Sequence, residues 1–206
     1  MNAQEAQNIK WSENIIIVDG DYIDHVAFDL IVNFERMLNR RIPAADFSQW
    51  AVNIALDGRL KSGNHETQVV LLHDKQNPKL ENFAPADYVK ELNGQAFKDP
   101  QLGEIIINAI ATDDEVAEKD NVLLDLLKTV LSHEEVKRIM LVPNAEDSHL
   151  ISTLRSTLRD ADDELKHITL FAMQPLEGGN FKQQILGYSL LNAMGISSSE
   201  IEQKIK

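Results

Sequence analysis

The side chains best placed to do chemistry are acidic, and the first of them are Asp19 and Asp21, separated by Gly20. They follow directly on Ile15, Ile16, Ile17 and Val18, a β-branched apolar run with no polar break. Such a run suits a strand buried on both faces. Carboxylates at the C-terminal end of a buried strand, beside a helix start, stand where open α/β sheets place their sites. With a glycine between them to allow close backbone approach, the pair is able to hold a divalent cation. A plainer use is equally open: Asp21 caps the helix and Asp19 accepts hydrogen bonds in the turn.

Two further places supply acids. Glu146 and Asp147 follow the apolar run Lys137 to Val142, and Asp120 precedes the helical spacing of Leu123, Leu126, Leu127, Val130 and Leu131. In a parallel sheet every strand's C-terminal end lies on one edge, so these acids and Asp19 and Asp21 are expected to share a rim. Carboxylates confined together raise each other's pKa unless a cation is present, which points to Mg²⁺ or Mn²⁺. Two such ions activate a water and stabilise the leaving oxygen of a phosphodiester.

The elements that would position these groups are legible in the periodicity. Apolar runs predict strands at residues 15–18, 67–73, 104–111, 137–142 and 167–173. Helical spacing predicts helices from about Val26 to Arg40, ended by Arg40-Arg41-Ile42-Pro43, and around Phe47 to Leu56, with Phe47 and Trp50 as core. Others follow from Asp120, read as an N-cap, to Leu131; through Leu150 to Leu158; and from Phe181 to Met194. Ser197 and Glu200 form a capping box for a last short helix. Alternation of strands and helices predicts an α/β fold, a three-layer α/β/α sandwich with a mainly parallel five-stranded sheet. Residues 1–206 read as a single domain, with 74–102 an irregular insertion, 175–206 a C-terminal helical extension, and Thr112-Asp113-Asp114-Glu115 an acidic turn.

Composition narrows the classes of function. There are no cysteines, which excludes disulfides, thiolate metal sites and Cys nucleophiles. The net charge is −13, with 20 basic residues against 33 acidic ones, the reverse of what a general nucleic-acid coat protein needs. That balance suits solubility or a basic protein partner. No 18-residue apolar run and no leader pattern occur, so a cytoplasmic protein with no membrane association is expected. The six histidines show no HxH or HExxH spacing, and GxGxxG, GxxxxGK[ST] and GxSxG are all missing.

In order of elements, residues 14–173 resemble the NYN branch of the PIN-like nucleases. The likeness rests on an apolar strand ending in DGD, a helix preceded by an acid, and LVPNAED before another helix. Tyr22 stands where that family has Asn, and Pro143, Asn144 and Ala145 replace its Ser-Gly-Asp. The resemblance implies a metal-dependent endoribonuclease acting on RNA, with Asp19, Asp21, Asp120 and Asp147 as the catalytic set. Asp19, Asp120 and Asp147 would ligate the metal, with Glu146 or Asp125 in support.

Two other classes fit the same residues. Asp19-Gly20-Asp21 also resembles the DxD of haloacid-dehalogenase-like phosphatases, in which the first Asp is the nucleophile and the second the general acid. Ile23 stands where that family has Thr or Val, and Thr112 and Lys119 are its candidate partners here. The third class is a PIN-like scaffold without catalysis, whose acidic surface docks a basic partner.

Overall fold

The computed structural model describes residues 10–112, 116–161 and 165–205. The predicted acidic turn at 113–115 lies outside them. β1 (Asn14–Asp19) leads straight into α1 (Gly20–Leu38), then β2 (Ala45–Asp46), α2 (Phe47–Asp57) and β3 (His65–Asp74). The chain continues through β4 (Phe83–Ala84), a short π-helical turn (Tyr88–Leu92), β5 (Ala96–Asp99) and β6 (Gly103–Thr112). α3 (Val116–Ser132), β7 (Arg138–Val142), α4 (Ser148–Leu158) and β8 (His167–Ala172) follow, then β9 (Lys182–Ile185), α5 (Leu186–Ala193) and α6 (Ser198–Ile205).

β1 is buried throughout because its apolar side chains serve two cores at once. Ile16 and Val18 join Val69, Leu71, Met140 and Val142 beneath α1, α2 and α5. Ile15 and Ile17 join Val70, Leu72, Ile139 and Leu141 beneath α3 and α4. Period-two alternation in a strand covered on both faces makes a slip of one residue exchange the two sets, which fixes the register. β1 pairs in parallel with β3 and β7, aligning Asp19 with Leu72 and Val18 with Val142.

All five predicted strands are present, but the sheet has seven, in the order β5-β6-β3-β1-β7-β8-β9. The two that periodicity missed are its edges. β5 runs antiparallel to β6, and β9 lies parallel to β8 where the spacing predicts the start of a helix. Both have four residues, none fully buried, and a polar edge strand leaves no apolar run to read.

Helix boundaries follow from their caps. Asp19 is the N-cap of α1, accepting the Tyr22 N–H at 3.0 Å. Asn39 closes that helix in the left-handed region at φ 54°, ahead of the predicted break at Arg40–Pro43. α3 starts at Val116 rather than Asp120, so Asp120 lies within the helix and is not its cap. The predicted capping box is present: Glu200 N–H donates to Ser197 Oγ at 3.3 Å, and Ser197 N–H to Glu200 Oε2 at 3.1 Å. Phe47, Trp50 and Phe83 pack as a ring cluster in the first core, as predicted for the first two. Among the described residues no helix is long and apolar enough to cross a membrane.

Candidate functional site

The strand order sets the place. From β1 the chain moves to β3 and β6 on one side, then crosses to β7 and β8 on the other. The crevice at such a reversal, at the C-terminal ends of the strands, is where α/β sheets receive ligands. Asp19 ends β1 there, and the loop Pro143–Asp147 leaves β7 beside it.

Asp19 is buried, with only 3% of its surface exposed. Its Oδ1 both caps α1 and lies 2.8 Å from Lys119 Nζ. Lys119, 9% exposed, reaches down from the start of α3 and places the same ammonium 2.7 Å from Asp21 Oδ2. Asp21 has two more partners, which tie it to the end of β3: Oδ2 accepts the Asp74 N–H at 2.9 Å, and Oδ1 accepts from Asn77 Nδ2 at 3.0 Å. The first pair of acids is therefore brought together around a lysine.

The electrostatics follow from that contact. Burial drives the Asp19 carboxyl upward, and Lys119 opposes the rise by charge and hydrogen bond. Burial likewise disfavours a charged Lys119, but Asp19 and Asp21 outweigh it and hold the ammonium protonated above its ordinary range.

Asp147 is the N-cap of α4, its Oδ1 accepting from His149 N–H at 2.8 Å and Leu150 N–H at 3.1 Å. Asp120 sits half-buried within α3. Its carboxyl is raised by burial first and then by the charges of Asp19 and Asp147. Glu146 is exposed in the turn after β7, its N–H donating to Asn144 Oδ1 at 3.2 Å. Its charge, after burial, helps push the Tyr22 hydroxyl up to about 12. Asp19, Asp120 and Asp147 are thus near enough to feel one another. Among the described residues, however, no group of three His, Asp or Glu side chains is arranged to hold a metal ion.

Mg²⁺ or Mn²⁺ does not fit between Asp19 and Asp21 as they stand. A cation shared by Asp19 and the rim acids needs oxygens at about 2.1 Å from one point. At Asp19 and Asp21 the ammonium of Lys119 already occupies the position between the carboxylates.

Asp19, Asp21 and Asp147 were legible as acids after strand ends and Asp120 as one at a helix start, whereas their partners were not. The sequence reading admits Lys119 only as a phosphatase candidate, and nothing local marks it as the counter-ion of residues so distant in the chain. Segment 74–102 supplies the remaining wall. Tyr88 stacks on buried His73 with ring centroids 3.8 Å apart and planes 7° from parallel. His73 Nδ1 lies 2.9 Å from the Asp74 carbonyl and 3.1 Å from that of Asn77, so it carries the proton and donates. A Cβ added at Gly20 would meet the Tyr88 hydroxyl at 2.4 Å, so the close approach that the DGD glycine permits is this one. Thr112 Oγ1 donates to the His73 carbonyl at 3.1 Å.

Comparison with known proteins gives one match. No curated protein and no solved structure matches the chain, and nothing found links it to the NYN branch. Residues 8–201 match the family described as "Family of unknown function (DUF6621)", and the chain belongs to that family.

Proposed function

We propose that this chain is a non-catalytic interaction domain on a scaffold resembling the PIN/NYN nucleases, its acidic switch-point site neutralised from within by Lys119. One observation carries the reading: a single buried ammonium lies within 2.8 Å of Asp19 and Asp21, the pair that a nuclease of that kind would give to a metal. A buried charge pair with matched hydrogen bonds is costly to break, because removing one partner leaves the other uncompensated. Displacing Lys119 by a metal would incur that cost. The strand order and the carboxylates at the switch point support the scaffold comparison. The charge of −13 supports a basic protein partner over RNA.

The test is thermal unfolding of the wild-type chain with millimolar Mn²⁺ or Mg²⁺. A ligand that binds only the native state must raise the melting temperature. No specific shift is expected, and no cleavage of a mixed RNA pool. A metal-dependent rise that Asp19→Ala abolishes would overturn this reading in favour of the ribonuclease.

The phosphatase reading has one observation in its favour, Lys119 beside the first Asp of the DxD. Against it, the Asp19 side chain that would attack phosphorus is 4% exposed, and Thr112 is committed to a backbone carbonyl. Hydrolysis of a generic phosphate monoester with Mg²⁺ present, lost in Asp19→Asn, would revive it.

A further inference from the structure

Beside the neutralised pair, the first three turns of α1 and the loop after β3 border an open cleft of about 500 Å³. Phe28 and Pro78 supply its apolar surface, Asp21, Asp24 and Glu81 its carboxylates, and Lys79 a single ammonium. Phe28 is 51% exposed and Val32, one turn further along α1, is 36% exposed, so an apolar stripe leads away from the cleft. An exposed phenylalanine beside a second apolar side chain on one helix face is a contact surface, unlike scattered single residues.

The charges around it are unevenly matched. Glu81 is paired with Lys79 at 3.1 Å and Asp29 with His25 at 3.6 Å, both on the surface where such pairs contribute little. Asp21 is satisfied by Lys119 on its inner side. Asp24 accepts the Asn82 N–H at 2.8 Å but has no Lys or Arg within ion-pair distance among the described residues. Burial raises its carboxyl, as expected of an acid lacking a cation. The cleft therefore combines an aromatic face with a carboxylate that lacks a counter-charge.

We infer that the α1 cleft and its Phe28–Val32 stripe dock an arginine-bearing amphipathic segment of a protein partner, with a guanidinium between Asp24, Glu81 and Phe28 and apolar side chains along the stripe. This rests on the interaction-domain reading above and names the partner's chemistry. Arginine suits the site better than lysine because its planar head stacks on an aromatic ring while donating in a fork to carboxylates. Phosphate backbones are repelled by the same carboxylates, which argues against RNA here.

The experiment uses the full chain and a fluorescein-labelled synthetic arginine–leucine amphipathic peptide, with a matched peptide carrying citrulline for arginine. Citrulline keeps the shape and removes the charge. Anisotropy at physiological salt is expected to show binding of the arginine peptide alone. Phe28→Ala and Glu81→Lys, both surface changes, are each expected to weaken it by at least about five-fold. Tyr188→Ala, at a still more exposed aromatic on α5, is expected to leave it unchanged. Equal binding of the citrulline peptide, wild-type affinity in both cleft variants, or no binding at all would each overturn the docking surface. The Mn²⁺ titration on the same samples separates the two failures. A metal-dependent rise in melting temperature removes the interaction-domain reading itself, whereas a silent titration with a failed peptide removes only the cleft.

Discussion

The ammonium of Lys119 stands 2.8 Å from Asp19 Oδ1, with both side chains buried, so the start of α3 is pinned to the end of β1 by opposite charges. Coulomb attraction in a poorly solvated site is strong, but so is the penalty for bringing the charges there. The contact therefore contributes most to specifying which helix covers the switch point.

Lys119→Met leaves buried Asp19 and half-buried Asp21 beside each other without their cation. Breaking a buried pair from one side costs about 3–5 kcal/mol, or roughly 10 °C in melting temperature for a chain of this size. Adding Asp19→Asn to that variant is expected to restore part of the loss, because the remaining carboxylate then has no buried like charge beside it. Lys119→Met is also expected to gain a Mn²⁺-dependent stabilisation that the wild type lacks. Calorimetry of the three chains with and without Mn²⁺ decides it, and a Lys119→Met chain as stable as wild type would show that the pair holds nothing in place.

Gly20 tests whether segment 74–102 is held firmly against the site. Ordinary helix propensity favours Ala over Gly by about 1 kcal/mol. Here the new methyl would lie 2.4 Å from the Tyr88 hydroxyl and 3.1 Å from the Leu72 carbonyl. Tyr88 is buried and stacked on His73, so it has little freedom to withdraw. Overpacking wins, and Gly20→Ala is expected to lose about 1–2 kcal/mol in urea unfolding. Tyr88→Phe in the same chain removes the clashing oxygen and is expected to recover most of it. Additivity of the two changes would mean that the ring moves freely.

How much of this was legible in sequence divides along a physical line. Continuous apolar runs and helical spacing report burial, and they located β1, β3, β6, β7 and β8 and the helices that cover them. β5 and β9 escaped because an edge strand of polar residues satisfies its backbone on one side only and needs no apolar run. Asp19 and Asp21 were visible because a carboxylate pair at a strand end is a local pattern. Their role depends on Lys119, Asn77 and Tyr88, which come from three other places in the chain. Caps tell the same story: Asp147 matched one position of a nuclease motif, and the structure uses its Oδ1 to cap α4.

Asp120 is one of the buried or half-buried acids that make stability depend on pH. Its carboxyl is raised by burial, then by Asp19 and Asp147, so the native state holds a proton there more tightly than the unfolded chain does. For an acid shifted in that direction, the stabilisation is fully present below the unfolded pKa and is lost as pH rises through the folded one. At pH 7 the ionised Asp120 therefore weakens the fold, and Asp120→Asn is expected to raise the melting temperature. Partial exposure screens the effect, so the gain is on the order of 2 °C. Below about pH 3.5 the wild-type side chain is itself neutral and the two chains are expected to melt together. Melting curves across this window are the check. A gain that persists undiminished at acid pH would assign the effect to packing or helix propensity, and a loss at pH 7 would mean that the Asp120 charge is compensated by Lys119 and His149 after all.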